Sequence, residues 1–197
     1  YFDTGVMYRA VTWAALQRSL DIADEAAITR LAEELHIEVT PPTVDDGRQY
    51  TVLADGHDIT WEIRTPAVDR GVSPVSAYPG VRDALVAQQR RIAQQGPVVM
   101  TGRDIGTVVL PDADLKIYLD ASLEVRARRR HLEILARGGR SDYEQVLQGM
   151  RRRDEIDSTR AVAPLRPADD AVVVDTTNLS IEQVLEEVEK LLCRCGI

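Results

Sequence analysis

Several clusters of charged residues in this chain have the types and spacing to hold a small polyanion. Gly102-Arg103-Asp104 lies between two short apolar runs, Val98-Val99-Met100 and Leu115-Lys116-Ile117-Tyr118-Leu119. An arginine beside a carboxylate just past a strand end sits where open α/β sheets bind ligands, in the crevice outside the carboxyl ends of the strands. A solvated Arg-Asp turn pair is the competing reading. Arg126, Arg129 and Arg130 recur at i, i+3 and i+4, so three guanidiniums share a helix face and repel unless something anionic lies among them. Arg153, Asp157 and Arg160 recur at i, i+4 and i+7, aiming two guanidiniums and a carboxylate in one direction. That set suits a sugar phosphate, because the carboxylate can accept from ribose hydroxyls and an arginine fork matches phosphate oxygens. An intrahelical salt bridge is the alternative. Tyr8 and Arg9 fall in the first turns of a helix, where free backbone N–H groups favour phosphate and a tyrosine offers a flat surface to a base or sugar. Plain core packing of Tyr8 is an equal alternative.

The elements that must position these groups follow from apolar periodicity. Tyr1-Phe2-Asp3 ends a strand, and Thr4 can cap a helix carrying Val6, Ala10, Trp13 and Leu20 mostly on one face. Asp24 caps a second helix with Ile28, Leu31, Ala32 and Leu35 at helical spacing. From His36 to Trp61 short alternating strands predict a small antiparallel sheet. Thr65 to Pro79 reads as irregular and proline-punctuated, and Val81 to Gln95 as helix. Ser122 caps the helix of Arg126, Gly138-Gly139 breaks it, and Ser141-Asp142-Tyr143-Glu144 predicts a capping box before the stripe Tyr143, Val146, Leu147 and Met150. Two basic helices hinged on a diglycine suit a lid over a nucleotide; an ordinary helical hairpin is the alternative. The runs at 98–100, 115–119 and 171–175 are expected as parallel neighbours in one sheet, covered on both faces, with 36–61 outside it. Ser180 to Leu192 closes the chain as a helix with Ile181, Val184, Leu185, Val188 and Leu192 on its buried side.

Composition bounds the function. The chain has 197 residues, 44% of them hydrophobic, enough for one compact domain and a small insert. A net charge of −8 argues against non-specific nucleic-acid binding, which needs a positive field. No apolar run approaches the roughly 20 residues of a membrane span. Cys193 and Cys195 make no disulfide framework, His36, His57 and His131 have no metal spacing, and no side-chain metal site is expected.

GRDIGTVVLPDADLKIYLDAS at 102–122 resembles the central segment of bacterial-type cytidylate kinases. DTGVMYRA from Asp3, the segment Ser73 to Leu85, RARRRHLE, and RRRDEIDSTRAVAPL from Arg151 resemble that family in the same order, so the likeness spans Tyr1 to about Leu192. It implies an α/β, nucleoside monophosphate kinase-like P-loop fold: a three-layer parallel sheet, a small antiparallel β inserted domain and a helical lid. The kinase core would be 1–35 and 93–197, with the lid at about 124–160, and 36–92 the inserted CMP-binding domain. By the resemblance, Ser73, Arg82 and Asp104 read the cytosine edge, Arg153 and Asp157 bind the sugar, and Arg9, Arg103 and Arg160 hold the acceptor phosphate. Thr4, where serine is more usual after the aspartate, and Tyr8 complete the CMP site. Arg126, Arg129 and Arg130 cover the donor ATP from the lid and, with Arg103 and Arg160, offset charge on the transferring group. Asp3 could orient magnesium-bound water or Arg103, or cap the helix.

The implied reaction moves the γ-phosphoryl of ATP, with Mg2+, to CMP or dCMP in a cytoplasmic monomer with no nucleic-acid or membrane partner. No G-x-x-x-x-G-K-[ST] run occurs, and the two lysines, Lys116 and Lys190, are not placed to replace a loop lysine. The resemblance puts Tyr1 where the family's second strand begins, so roughly 30 residues bearing the phosphate loop are expected upstream, and the chain as given is expected to be inactive. Two alternatives stay open: another small-molecule kinase of the same superfamily, and a nucleotide-binding fragment without catalysis.

Overall fold

The computed structural model describes residues 1–196, which form two compact units, residues 1–105 with 160–162 and residues 106–159 with 163 onward. The first unit contains β1 (Phe2–Asp3), α1 (Gly5–Gln17), α2 (Glu25–Glu34), β2 (Ile37–Thr40), β3 (Thr51–Ala54), β4 (His57–Asp58), a 3₁₀ turn (Glu62–Arg64), α3 (Pro66–Ala77), α4 (Pro79–Ala93) and β5 (Met100–Thr101). Strands β2, β3 and β4 form the expected antiparallel sheet, with Ile37 opposite Ala54 and Ala54 opposite His57. One hydrophobic core joins α1 and α2 to Val52 and Ile59 from that sheet region and to Val72, Val75, Val81 and Leu85 from α3 and α4.

Helix α1 is buried nearly all round, not along one face: Val6, Met7, Tyr8, Ala10, Val11, Thr12, Ala14 and Ala15 are all inside. Small side chains permit this. A Cβ on Gly71 of α3 would lie 2.8 Å from Thr12 Cγ2, so glycine lets these helices approach closely. Thr4 precedes α1 but its side chain does not cap it; the hydroxyl donates to the Thr101 carbonyl at 3.0 Å and ties the helix start to β5. Asp3 Oδ1 instead accepts from Gly5 N–H at 2.9 Å, a capping role. Asp24 caps α2 as expected, accepting from Ala27 N–H.

Residues 66–77, expected to be irregular, form a helix. Pro66 and Pro79 stand at the first positions of α3 and α4, where a missing N–H costs nothing, and only Pro74 lies inside a helix. Prolines that read as breakers are here starters, and α3 tolerates the one lost bond because Val68, Val72 and Val75 are buried.

The second unit contains β6 (Ile117–Asp120), α5 (Leu123–Ala136), α6 (Tyr143–Thr159), β7 (Val172–Asp175) and α7 (Ile181–Cys195), and a π-helical turn (Ile105–Val109) leads into it. The apolar runs are parallel strands, but not in one sheet: β5 pairs with β1, Phe2 opposite Met100, while β6 pairs with β7, Ile117 opposite Val172. Nor are they covered on both faces, since Val99, Leu119 and Val173 are each more than half exposed. Apolar runs encode a capacity for burial and leave the pairing partner unspecified. In α7, Val184, Val188 and Leu192 are half-buried but Ile181 and Leu185 are exposed, so that helix hides less of its stripe than expected.

Helix ends in this unit are chemically well marked. Ser122 caps α5, and α5 closes with Gly138 at φ 75°, where Gly138 N–H bonds Leu135 O and Gly139 N–H bonds Ile134 O. That is a Schellman motif, which a left-handed glycine makes possible. Asp142, not Ser141, caps α6 by accepting from Gln145 N–H at 2.9 Å; the Ser141 hydroxyl is used by His131 Nδ1. Ser180 and Gln183 form a reciprocal capping box on α7.

Candidate functional site

A buried polar cluster lies in the first unit. Arg82 projects from α4 with only 2% of its surface exposed, and its Nη2 pairs with the carboxylate of Asp104, itself 6% exposed on the loop after β5. Arg82 Nη1 donates to the Ser76 carbonyl at 3.0 Å, and the guanidinium carbon lies 5.5 Å from the centroid of the Tyr8 ring, within cation–π range. Ser73 is buried one turn before Ser76 on α3. Gly102 sets the loop: a Cβ there would overlap Thr4 Oγ1 and come within 2.7 Å of Ile105 Cδ1, so any larger residue on the turn carrying Arg103 and Asp104 forces those side chains to shift. Burial pushes the Tyr8 phenol up; the Arg82 charge opposes this most, and the Arg160 charge also favours the phenolate.

Thus Tyr8, Arg82, Asp104 and Arg160, far apart in sequence, belong to one electrostatic neighbourhood, with Thr4 buried at the base of the Gly102 turn. Arg103 is half-buried on that turn. Arg9 points to α3, donating to the Ile63 carbonyl at 2.9 Å and pairing with Asp69 at 2.7 Å. Arg160 lies just past the end of α6 at Thr159, so the i, i+4, i+7 face drawn from its spacing stops at Asp157.

In the second unit, Asp157 is fully buried and Arg153 approaches it along α6 at 3.7 Å, a loose contact. Three of the arginines of α5, Arg126, Arg129 and Arg130, have separate protein partners. Arg126 Nε donates to the Ala121 carbonyl and its Nη1 pairs with Asp154 of α6 at 2.7 Å. Arg129 donates to Thr176 Oγ1, Thr176 O and Leu179 O at 3.0, 2.6 and 3.3 Å, bracing α5 against the loop after β7. Arg130 pairs with Glu133 one turn on. The anions expected among these guanidiniums are thus supplied in part by Asp154 and Glu133.

Sequence reasoning missed three features. Gln89, fully buried on α4, continues the stripe of Arg82 and Leu85; its place on that stripe was the available signal. Arg64 donates to the Tyr50 hydroxyl, which donates to Asp3 Oδ2, linking the antiparallel sheet to the end of β1. Arg48 lies between Asp46 and Asp58, holding both carboxyls below their ordinary values through its hydrogen bonds. Neither of the last two was signalled, because Asp3 and Asp58 lie on other elements and no local spacing marks the pairing. Among the described residues no group of three or more His, Cys, Asp or Glu could hold a metal ion, and no helix is long and apolar enough to cross a membrane.

The chain matches the family model described as cytidylate kinase over residues 1–194. It is similar to the cytidylate kinase of Herpetosiphon aurantiacus, 51% identical over 192 residues, covering 98% of this chain and 82% of that protein. It is likewise 51% identical over 194 residues to that of Chloroflexus aggregans, covering 98% and 81%, and 53% identical over 187 residues to that of Rhodococcus jostii, covering 94% and 80%.

Proposed function

Because the chain belongs to the cytidylate kinase family, we propose that it recognises CMP or dCMP as the acceptor of a phosphoryl group from ATP. The observation that carries the substrate reading is the buried Arg82–Asp104 pair beside Tyr8. Cytosine presents an exocyclic amine donor next to ring-nitrogen and carbonyl acceptors, so a carboxylate can take the amine while a guanidinium serves the acceptors. Uracil would turn a carbonyl toward Asp104, and two acceptors facing each other in a dry site are strongly disfavoured. Ser73 adds a hydroxyl to the base edge. Arg9, Arg103 and Arg160 hold the acceptor phosphate, Arg153 and Asp157 the sugar, and Thr4 the loop beneath. Residues 36–92 form the acceptor-binding insert of a P-loop kinase core, and residues 124–160 its lid.

Transfer asks little covalent work of the protein. Magnesium arrives as the counter-ion of ATP, as part of the substrate. Arg126, Arg129 and Arg130 serve the donor only by exchanging some of their protein contacts for phosphate oxygens, and Arg103 and Arg160 offset charge as the γ-phosphoryl moves. The 197 residues carry no loop lysine for the donor phosphates, so by themselves they are expected to bind acceptor without measurable turnover. Thermal-shift titration with CMP, UMP, AMP and shikimate tests the substrate class: stabilisation by CMP well above the others is expected, and equal shifts with all four would overturn it. A coupled assay for ADP formation by this chain with ATP, magnesium and CMP tests the donor reading; rapid turnover would place the donor site within these residues.

A further inference from the structure

Arg64, at the end of the 3₁₀ turn Glu62–Arg64, is a half-buried cation with no carboxylate against it among the described residues. Elsewhere in the first unit Arg9 lies against Asp69, Arg48 against Asp46 and Asp58, and Arg82 against Asp104. The contacts of Arg64 are of another kind. Its Nη2 donates to the Tyr50 hydroxyl at 2.9 Å, and its guanidinium carbon stands 5.6 Å from the centroids of both the Tyr50 and Trp61 rings. Its Nε is buried without a hydrogen-bond partner. Burial, and after it the Asp3 charge, push the Tyr50 phenol up, so Tyr50 gives Arg64 an acceptor but no counter-charge. Two ring faces offset only part of what a guanidinium loses on leaving water, and they hold its planar fork in one orientation with donors to spare.

Two ties join this turn to the acceptor residues. Arg9 Nη1 donates at 2.9 Å to the carbonyl of Ile63, the residue before Arg64. Tyr50 donates at 3.2 Å to Asp3 Oδ2, and Asp3 ends β1 opposite Thr101, the residue before the Gly102-Arg103-Asp104 turn. Arg64 is thus linked through one peptide to Arg9 and through one phenol to the strand ends that lead to Arg103. We propose that Arg64 is a further binding residue for the acceptor nucleotide, donating to its phosphate from a seat made by Tyr50 and Trp61. This rests on the reading of Arg9 and Arg103 as holding the acceptor phosphate. The phosphate supplies the negative charge that no neighbouring side chain gives, and an arginine fork matches its oxygens.

Calorimetry with CMP, cytidine and ATP on wild type, Arg64→Met and Asp104→Ala tests this. Cytidine carries the base and sugar without the phosphate. Arg64→Met is expected to weaken CMP at least about tenfold, the scale of one charge-assisted hydrogen bond, and to leave cytidine within about twofold of wild type. CMP affinity within about twofold of wild type would overturn the proposal. So would equal losses for CMP and cytidine, because a residue that only braces the fold cannot tell the two ligands apart. A loss confined to ATP would assign Arg64 to the donor and overturn it as well. Should Arg64→Met not fold, Arg64→Lys keeps a charge over the rings without the planar fork; it is expected to lower the ratio of CMP to cytidine affinity at least about threefold, and an unchanged ratio would overturn the proposal. Asp104→Ala, which acts on the base, should weaken CMP and cytidine alike. If it weakens neither, the acceptor site itself is misassigned; if it weakens both while Arg64→Met weakens neither, only the role of Arg64 is refuted.

Discussion

Replacing Asp104 by alanine strands a positive charge that has almost no access to water. The Arg82 side chain is 3% exposed and that of Asp104 6% exposed, so the pair is desolvated on both sides. Removing one partner of such a pair costs about 3–5 kcal/mol, because the remaining charge is left buried and uncompensated. The Tyr8 ring and the Ser76 carbonyl stay in place and together offset about 1 kcal/mol. A net loss of about 2–4 kcal/mol is therefore expected, against a total stability of about 5–15 kcal/mol for a typical domain, so the variant should fold but unfold at lower urea. The double replacement Arg82→Met with Asp104→Leu removes both charges and should recover all but about 1 kcal/mol, since apolar packing often equals a buried ion pair. Urea denaturation of wild type, single and double variants measures this. A loss below about 1 kcal/mol for Asp104→Ala, or a double variant no better than the single, would refute the claim that this pair is held out of water.

Other parts of the molecule make separate predictions. Arg129→Ala removes three hydrogen bonds to the loop after β7 and should cost about 1.5–3 kcal/mol, whereas Arg130→Ala, at a half-exposed i,i+3 pair, should cost under about 0.5 kcal/mol; urea midpoints compare them. Gly102→Ala forces Thr4 or Ile105 to move and should destabilise by about 1–3 kcal/mol, read by the same assay. Arg48 holds Asp46 and Asp58 below their ordinary values, and a depressed carboxyl contributes stability above its unfolded pKa of about 4 that is lost as pH falls through the folded value. Stability should therefore drop below about pH 4 in wild type, and Arg48→Met should lower it at neutral pH and flatten that drop; an unchanged acid limb would remove Arg48 as its cause.

Elements whose signal is local were legible in the sequence. The antiparallel sheet at 37–58, the caps Asp24 and Ser122, and the half-buried stripe of Tyr143, Val146, Leu147 and Met150 are each written within a few residues of one another. What depends on a distant partner was not. Thr4 could be recognised as a capping type, but its hydroxyl is claimed by Thr101, 97 residues away. Pro66 and Pro79 look alike whether they end an extended segment or start a helix, and only the buried valines of α3 decide it. The arginines of α5 were readable as a cluster, yet Asp154 and the Thr176 carbonyl, which satisfy two of them, lie on other elements. Gln89 was invisible as chemistry because an isolated glutamine carries no motif.

The most direct test of the account is the affinity of the protein for CMP and for UMP, measured by calorimetry in wild type and in Asp104→Asn. A carboxylate at position 104 can only accept, which suits the cytosine amine and opposes the uracil carbonyl, whereas an asparagine amide can also donate to that carbonyl. The account predicts that wild type prefers CMP by at least about tenfold and that this preference collapses in Asp104→Asn, chiefly through tighter UMP binding. A preference for CMP that survives Asp104→Asn unchanged would contradict it.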